Sequence, residues 1–440
     1  MVAHLKNVFS YTFIQSRLQS ACCKIGCLNK NIVLMLLLLF FASYASAAGL
    51  SLLQAEQLAL LYDPVLKAQS QQLQAVEHET LAADAWEDPN IRVGIMDVPT
   101  KSFDLNADPE TELLLGYQQM LPRGNSNNVM IKKKQAQQKQ QTANINLRQR
   151  EVKMNARKAW LDLYEQQQTE NILLSSRQLF SQQLDVSQSL YAAGRSNQQD
   201  VLQADLELSL VDDKLQKTIS LKQESAARLA QLLGEADARQ PLDEAVPVFD
   251  SLADKKVLHE QLQNNPAVHM QASVVTMQAE SVALAQQKYK PQWGFDLSYT
   301  RADGNTIGSE EMAAMSFMLM FDLPIFTGNF QDQELAASKQ MLQAERYMGQ
   351  DVQLKLTSEL EQNLARWQQL TQRLQLYDQR VLNQAQQNAQ AALKGYQSGV
   401  VAFEALTRAR NAELEAQMQR LDLYVEKAMV YAQIMYLTAE

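Results

Sequence analysis

Most hydrophobic positions of this chain recur at helical spacing, in stretches far longer than a single globular core needs. From about Asn127 to Leu190 no proline or glycine interrupts the pattern, and at ~1.5 Å per residue such a helix would be roughly 95 Å long. Within it, Ile145, Val152 and Ala159 follow a heptad spacing, and the stretch from Leu414 to Met435 does the same. The pattern predicts long helices that pack as coiled coils.

Four short segments follow a different rule: in three of them hydrophobic residues alternate with polar or small ones, and the fourth, Leu113–Leu121, is a short apolar run. Ile91–Ile95 and Leu113–Leu121 predict one β-hairpin, and Trp293–Thr300 and Met315–Leu323 predict a second. Such alternation is typical of membrane β-barrel strands, and also of a soluble sheet that packs on helices. Under the barrel interpretation, the lipid-facing side chains are Trp293, Phe295, Leu297, Tyr299, Phe317, Leu319 and Phe321.

Landmarks along the chain occur twice and in the same order, which predicts a tandem duplication. Pro64 and Pro266 lie 202 positions apart. A Tyr-x-x-Gly segment interrupts the helical pattern at Tyr191 and again at Tyr396, 205 positions later. The predicted domains are a signal peptide at 1–48, a first copy at 49–240 and a second copy at 241–440.

The N-terminal segment has the composition of a secretory signal peptide. Four basic residues and no acidic one accompany an apolar run from Ile32 to Ala42, and the small residues Ala45-Ser46-Ala47-Ala48 follow it as a cleavage site. The run is shorter than the ~20 residues of a membrane-spanning helix, so we expect removal of the segment. All three cysteines lie in it, so the mature chain would form no disulfide.

Candidate chemistry is sparse in the rest of the sequence. No phosphate-binding glycine loop, paired nucleophile and base, or zinc motif is present. The formal charge of −9 and the lack of a basic stripe argue against nucleic acid as a partner. Soft-metal ligands must converge, and spacing shows no convergence among His269, Met270, Met277, Met315, Met318 and Met320. We therefore expect no enzyme activity, no cofactor and no metal site.

Four strands in one chain raise a problem of closure if the strands lie in a membrane. An open sheet edge leaves backbone groups without hydrogen-bond partners in lipid. The smallest membrane barrels have about eight strands, so other copies must complete the sheet. A trimer gives twelve strands, whereas a dimer gives only eight and a narrow, filled interior. The argument favours the trimer and leaves the dimer open.

Two stretches of the sequence resemble TolC-like outer-membrane efflux proteins. They are the segment from Leu190 to Ala204, which contains Tyr191-Ala-Ala-Gly194-Arg195 and Asp200-Val-Leu-Gln-Ala, and the opening Leu50-Ser-Leu-Leu-Gln-Ala-Glu-Gln-Leu-Ala with Asp63-Pro64. The resemblance extends over essentially the whole mature chain, and the order and spacing of the landmarks carry it. The heavy-metal efflux members of this family are the most similar.

The resemblance implies a mainly α fold with a small membrane β-barrel portion. Two tandem repeats, each a helix, a β-hairpin and a long helical hairpin, would form a homotrimer with a twelve-stranded barrel continuous with a periplasmic α-helical barrel. The protein would lie in the bacterial outer membrane, in contact with lipid, and work with a periplasmic adaptor and an inner-membrane efflux pump. Two alternatives stay open: a periplasmic coiled-coil adaptor or scaffold, and the channel of a type I protein secretion system.

The two Tyr-x-x-Gly segments would then be the periplasmic helix tips that contact the adaptor. The expected contact residues are Tyr191, Gly194, Arg195, Tyr396, Gly399 and Val400. A purely structural role for the glycines is an alternative, because glycine permits left-handed backbone at a helix end. Many family members carry a ring of carboxylates at this end, but no acid lies between Asp378 and Glu404. Asp200 and Glu404 are the candidate entrance carboxylates, and the cargo stays open among metal ions, drugs and polypeptides.

Overall fold

The computed structural model describes residues 49–103, 105, 110–235, 240–243, 251–302 and 312–438. The predicted signal peptide lies outside the described residues. By its contacts the chain divides into two compact units. The smaller unit comprises Met1–Ser51 and Pro241–Ala245, and the larger comprises Leu52–Gln240 and Val246–Glu440.

A short parallel β-bridge between Leu50 and Leu242 forms the described part of the smaller unit. The N–H of Leu50 donates to the carbonyl of Pro241 at 2.7 Å, and the N–H of Asp243 donates to the carbonyl of Leu50 at 3.2 Å. A Cβ at Gly49 would lie 2.6 Å from the backbone of Leu242. This bridge therefore needs a glycine at position 49.

The larger unit consists of helices and one sheet. In chain order its elements are α1 (Leu52–Tyr62), α2 (Pro64–Ala82), β1 (Asn90–Met96), β2 (Glu112–Met120), α3 (Ser126–Ala192), α4 (Gln198–Leu233), α5 (Lys255–Leu262), α6 (Pro266–Gln287), β3 (Gln292–Ala302), β4 (Met312–Asp322), a 3₁₀ turn (Thr327–Asn329), α7 (Gln331–Leu376), a π turn (Tyr377–Val381), α8 (Leu382–Gln397) and α9 (Phe403–Leu437). None of the helices in the described residues combines the length and apolarity that a membrane span requires.

Both predicted hairpins are present, and they join into one antiparallel sheet in the order β1-β2-β3-β4. Paired residues point to the same side, so the register separates the side chains into two faces. The mainly apolar face carries Ile91, Val93, Ile95, Leu113, Leu115, Tyr117, Trp293, Phe295, Leu297, Tyr299, Met315, Phe317, Leu319 and Phe321, with Gln119 and Arg301 near its two ends. The polar face carries Arg92, Gly94, Gly116, Gln118, Met120, Gly294, Asp296, Ser298, Thr300, Ser316, Met318 and Met320.

The helices before each hairpin are interrupted where the sequence places Asp63-Pro64 and Asn265-Pro266. Asp63 Oδ1 accepts the N–H of Leu66 at 2.7 Å, and Asn265 Oδ1 accepts the N–H of Ala267 at 2.8 Å. Each side chain therefore caps a new helix whose first residue is proline, a position where the missing N–H costs nothing. One helical pattern becomes two helices in both places.

The heptad positions of the long helices lie in their packed interfaces, as predicted. On α3, Leu173 and Phe180 are buried against Val211 and Leu215 of α4 and Leu414 of α9. These residues come from three helices and from both halves of the sequence. The coiled-coil stripe therefore holds α3, α4 and α9 together.

The prediction of one helix from Phe330 to about Leu393 is wrong in one respect, because a π turn at Tyr377–Val381 separates α7 from α8. From this turn onwards one series of partly or fully buried side chains recurs every four residues, at Tyr377, Val381, Ala385 and Ala389, with Leu382 beside it. Four residues exceed one α-helical turn, so such a series drifts off the packed face. The wider π turn takes up the extra residue and keeps the series facing α9.

A carboxyl group midway along α3 links stability to pH. Burial, together with the negative charges of Asp422 and Asp162, raises the pKa of Glu165 from 4.5 to about 7. The pKa of Glu165 is higher in the folded state than in the unfolded state, so proton binding stabilises the fold. This contribution is complete below pH 4.5 and is lost as pH rises through 7. We expect Glu165→Gln to raise the unfolding free energy by about 1–2 kcal/mol at pH 8, after allowance for partial exposure.

The same substitution should have little effect at pH 4, where the wild-type carboxyl is protonated in both states. Thermal unfolding of the detergent-solubilised protein at the two pH values measures the difference. An equal shift at pH 4 and pH 8 would show that Glu165 acts through packing and not through its charge.

Candidate functional site

The first helix tip, between α3 and α4, ends α3 with a glycine in left-handed conformation. Gly194 has φ +67°, which costs a glycine little and other residues more. The N–H of Arg195 donates to the carbonyl of Leu190 at 2.8 Å, and that of Gly194 donates to Tyr191 at 2.9 Å. This pair of bonds is a Schellman C-cap, which satisfies the last carbonyls of the helix.

The second tip, between α8 and α9, repeats this geometry. Gly399 has φ +76°. Its N–H donates to the carbonyl of Tyr396 at 3.0 Å, and the N–H of Val400 donates to Gly395 at 2.9 Å. A Cβ at Gly194 or Gly399 would meet no atom within 4 Å. The backbone conformation therefore requires both glycines, although the space around each is open.

The predicted tip residues divide into an exposed group and one buried residue. Tyr191 is 49% exposed and Val400 is 82% exposed, and Gly194, Arg195 and Gly399 are exposed as well. Tyr396, in contrast, is only 5% exposed. The expectation that its side chain belongs to the contact surface is therefore corrected.

The two Tyr-x-x-Gly copies differ because their surroundings differ. The ring of Tyr396 packs edge-on against Phe403, with 5.4 Å between ring centroids. The residue before it is Gly395, and a Cβ there would lie 2.5 Å from Val401 Cγ2. The first copy has Leu190 at the corresponding position. Gly395 lets Val401 pack closely against the end of α8, and in this turn the side chain of Tyr396 points inward.

Asp200, predicted as an entrance carboxylate, lies in a hydrogen-bonded group that joins the two tips. Its Oδ2 accepts the hydroxyl of Ser196 at 2.7 Å and the hydroxyl of Tyr396 at 3.2 Å. The oxygens of Ser196 and Tyr396 are 3.1 Å apart. Sequence reasoning missed Ser196, because nothing in the spacing indicates that it meets Tyr396. Glu404, the second predicted carboxylate, is exposed.

We expect Tyr396→Phe to loosen the second tip while retaining the contact with Phe403. The loss of a hydroxyl that donates to a carboxylate should cost about 1–2 kcal/mol of local stability. Hydrogen exchange of residues 389–403 would then be faster by about tenfold. Tyr191→Phe is the matched control, since Tyr191 is half exposed. Equal exchange in both variants would show that the hydroxyl of Tyr396 does not hold the tips together.

The polar face of the sheet contains an ion pair that spans three strands. Arg92 on β1 and Asp296 on β3 form a salt bridge, and Asp296 is only 6% exposed. Between them lies Gly116 of β2, where a Cβ would be 3.2 Å from Arg92 Nε. The absence of a side chain at Gly116 lets Arg92 cross the strand. This face is therefore polar and locally neutral.

The edges of the sheet and of the helical layer are the surfaces without a neighbour in the described residues. In the sheet, β1 and β4 each pair on one side only. Beside the sheet α3 contacts α2 and α6, and α6 contacts α7; towards the tips α4 contacts α3, α3 contacts α9, and α9 contacts α8. Exposed apolar side chains on the outer helices are Leu202, Leu206 and Leu210 of α4 and Met341, Tyr347, Met348 and Leu354 of α7.

Comparisons with known proteins agree with this description of the fold. Residues 257–434 match the model of a family described as outer membrane efflux protein. One similar solved structure is the outer-membrane channel OprN, with a TM-score of 0.74 and 19% identity over 88% of this chain and 89% of that chain. The outer membrane protein VceC from Vibrio cholerae has a TM-score of 0.73 and 16% identity over 88% of this chain and 95% of that chain. The CmeC outer membrane channel of Campylobacter jejuni has a TM-score of 0.71 and 13% identity over 88% of this chain and 85% of that chain. Among curated protein sequences, no similar one was found.

Proposed function

We propose that this chain is a TolC-like outer-membrane efflux protein and forms the exit channel of a tripartite efflux system in the bacterial outer membrane. The observation that carries the proposal is the four-stranded sheet, which has two open edges and an exposed apolar face. In this role the protein conducts cargo passively and performs no catalysis. A periplasmic adaptor and an inner-membrane pump deliver the cargo.

The apolar face of the sheet is the proposed lipid-facing surface. Val93 is 81% exposed, Phe317 is 69% exposed and Leu319 is 54% exposed. Exposed apolar side chains over four adjacent strands are unfavourable in water and favourable against lipid tails. The strands have 7 to 11 residues, close to the ~9–11 that a tilted membrane strand needs.

Closure of the proposed barrel requires further copies of the chain. In a homotrimer, β4 of one copy pairs with β1 of the next, so the three sheets give twelve strands without a free edge. The helical layer ends with α2 on one side and α7 on the other near the sheet, and with α4 and α8 near the tips. In the proposed trimer, α7 of one copy contacts α2 of the next, and α8 of one copy contacts α4 of the next. The second contact would cover the exposed leucines of α4. The two halves of the chain, as tandem repeats, would contribute equivalent parts of this wall.

The helix tips are the proposed site of contact with the adaptor. Arg195 and Val400 are exposed next to glycines in left-handed conformation, so both project from tight turns. Gly194, Gly399 and Tyr191 would complete the contact surface, and Glu404 would lie beside it. Asp200 is partly buried and accepts hydrogen bonds from Ser196 and Tyr396, so its proposed role is to hold the two tips together.

Electrical recording tests the proposed function directly. The purified protein, reconstituted in a planar bilayer with KCl on both sides, should give discrete single-channel currents. Fractionation of the producing cells should place the mature protein in the outer membrane. Absence of currents, together with recovery of the protein in the soluble periplasm or the inner membrane, would instead favour the adaptor or scaffold role.

A further inference from the structure

Two methionines from distant parts of the sequence lie on either side of one glycine on the polar face of the sheet. Met120 of β2 lies directly opposite Gly294 of β3, and Met320 of β4 lies opposite the same glycine from the other side. We propose that Met120 and Met320 form a thioether site for a soft monovalent cation, Cu(I) or Ag(I). The site rests on the proposed function in one respect, since the channel role makes this face the wall of the conducting lumen.

The open space over Gly294 accommodates the side chain of Met120. Only the strand β3, with Gly294, separates the backbones of Met120 and Met320. A Cβ at Gly294 would collide with Met120 Sδ. The sulfur of Met120 therefore occupies the place of the missing side chain. Both methionines are partly buried.

Met320 extends towards the same place from the opposite strand. Its Sδ is 3.7 Å from Nε2 of Gln118, a residue of β2 that lies two positions before Met120. Because β3 lies between β2 and β4, these two side chains make their contact over β3. The register and this contact place the thioethers of Met120 and Met320 on the same face, one on each side of Gly294, which the sequence spacing did not reveal.

A third thioether lies beside this pair. Met318 is opposite Asp296, one pleat from Met320 on the same face, and is 60% exposed. It can serve as an additional ligand at the lumen side of the site. Met315 of the same strand lies on the apolar face, opposite Tyr299. The methionines of β4 are therefore divided between the two faces, and Met318 and Met320 are the ones next to Gly294 on the face of Met120.

The chemistry of this ligand set determines which ions it takes. Thioether sulfur is a soft, uncharged ligand that favours Cu(I) over hard ions such as Mg²⁺ or Ca²⁺, and Ag(I) is the corresponding soft probe. The neighbouring charges are paired, Arg92 with Asp296 and Arg123 with Asp322, so they add no net repulsion. Because the thioether ligands are uncharged, they hold a monovalent ion without strong electrostatic attraction. The ion can therefore dissociate again and leave outward.

Methyl NMR of the full-length protein tests the site with Ag(I) alone. In protein labelled with [methyl-¹³C]methionine, we expect the Met120 and Met320 methyl signals to shift and to saturate at one Ag(I) per chain. Met120→Leu with Met320→Leu conserves volume and should weaken Ag(I) binding by at least about tenfold, because both core sulfurs are lost. Met315→Leu is the matched control and should leave binding unchanged.

Two results would overturn the proposal. One is an Ag(I) shift at Met315 equal to that at Met120, since this would mean binding to any exposed thioether. The other is unchanged Ag(I) affinity in the Met120→Leu, Met320→Leu variant. Correct folding of that variant is checked by its remaining methyl signals, which should keep their wild-type positions.

Bilayer recording separates this proposal from the proposed function. We expect Ag(I) to reduce the K⁺ current of the wild type and of Met315→Leu, but not that of the Met120→Leu, Met320→Leu variant. A K⁺ current that Ag(I) does not affect in the wild type overturns the thioether site in the conducting path and leaves the channel function intact. Absence of any K⁺ current overturns the channel function, whereas the NMR titration still decides the metal site.

Discussion

Replacing Gly194 and Gly399 together with tryptophan is expected to reduce efflux to the level of a strain that lacks the protein, while trimers still reach the outer membrane. Each position has a positive φ, so a side chain there costs roughly 1–2 kcal/mol of backbone strain. The space around each glycine is open, so the indoles project from the tips and obstruct the adaptor. Export of a known cargo and the amount of trimer in outer-membrane fractions measure the two effects.

Substitution of both glycines by asparagine provides the matched control. Asparagine tolerates the left-handed conformation better than other non-glycine residues, and its side chain is small. The asparagine variant should retain most of the efflux. If the tryptophan variant also exports normally, the tips are not where this protein meets its partner.

Replacing Phe317 with arginine is expected to remove most of the trimer from the outer membrane. Phe317 lies opposite Leu297, at the middle of both β3 and β4 on the apolar face. An arginine facing lipid at the bilayer midplane costs about 2–4 kcal/mol. The cost occurs once in each copy, so a trimer bears it three times. Heat-resistant trimers in outer-membrane extracts measure the loss.

The adjacent Ser316 offers a control on the opposite face of the same strand. Ser316 lies opposite Ser298 on the polar face, so Ser316→Arg should leave trimers intact and shift the single-channel current towards anions. Equal loss of trimers in both variants would contradict the assignment of the two faces. Normal trimers in Phe317→Arg would contradict a lipid contact at that face.

The sequence is sufficient to predict those parts of the fold that depend on local pattern. Helical spacing predicts α3 within a few residues and the Leu414–Met435 part of α9, since burial at every third or fourth position is a property of the helix itself. Alternation predicts the strands for the same reason. The glycines of the tips are also predictable, because a left-handed helix end restricts the choice of residue.

The details that the sequence did not predict depend on contacts between distant segments. Tyr396 is buried because it meets Ser196 and Asp200 from the first half of the chain. Met120 and Met320 lie on either side of Gly294 only because β2 and β4 both pair with β3, and the β2–β3 pair joins the two halves of the chain. The π turn accommodates packed side chains that recur every four residues where α8 faces α9, a spacing slightly longer than one α-helical turn. Spacing within one segment contains none of this information.

The number of chains in the assembled protein tests the central claim most directly. Native mass spectrometry of the complex released from outer membranes in mild detergent gives that number without further assumptions. Closure of the four-stranded sheet into a membrane barrel predicts three copies of the mature chain and no other polypeptide in the stable core. A complex of one, two or four copies would contradict the twelve-stranded barrel on which the channel function depends.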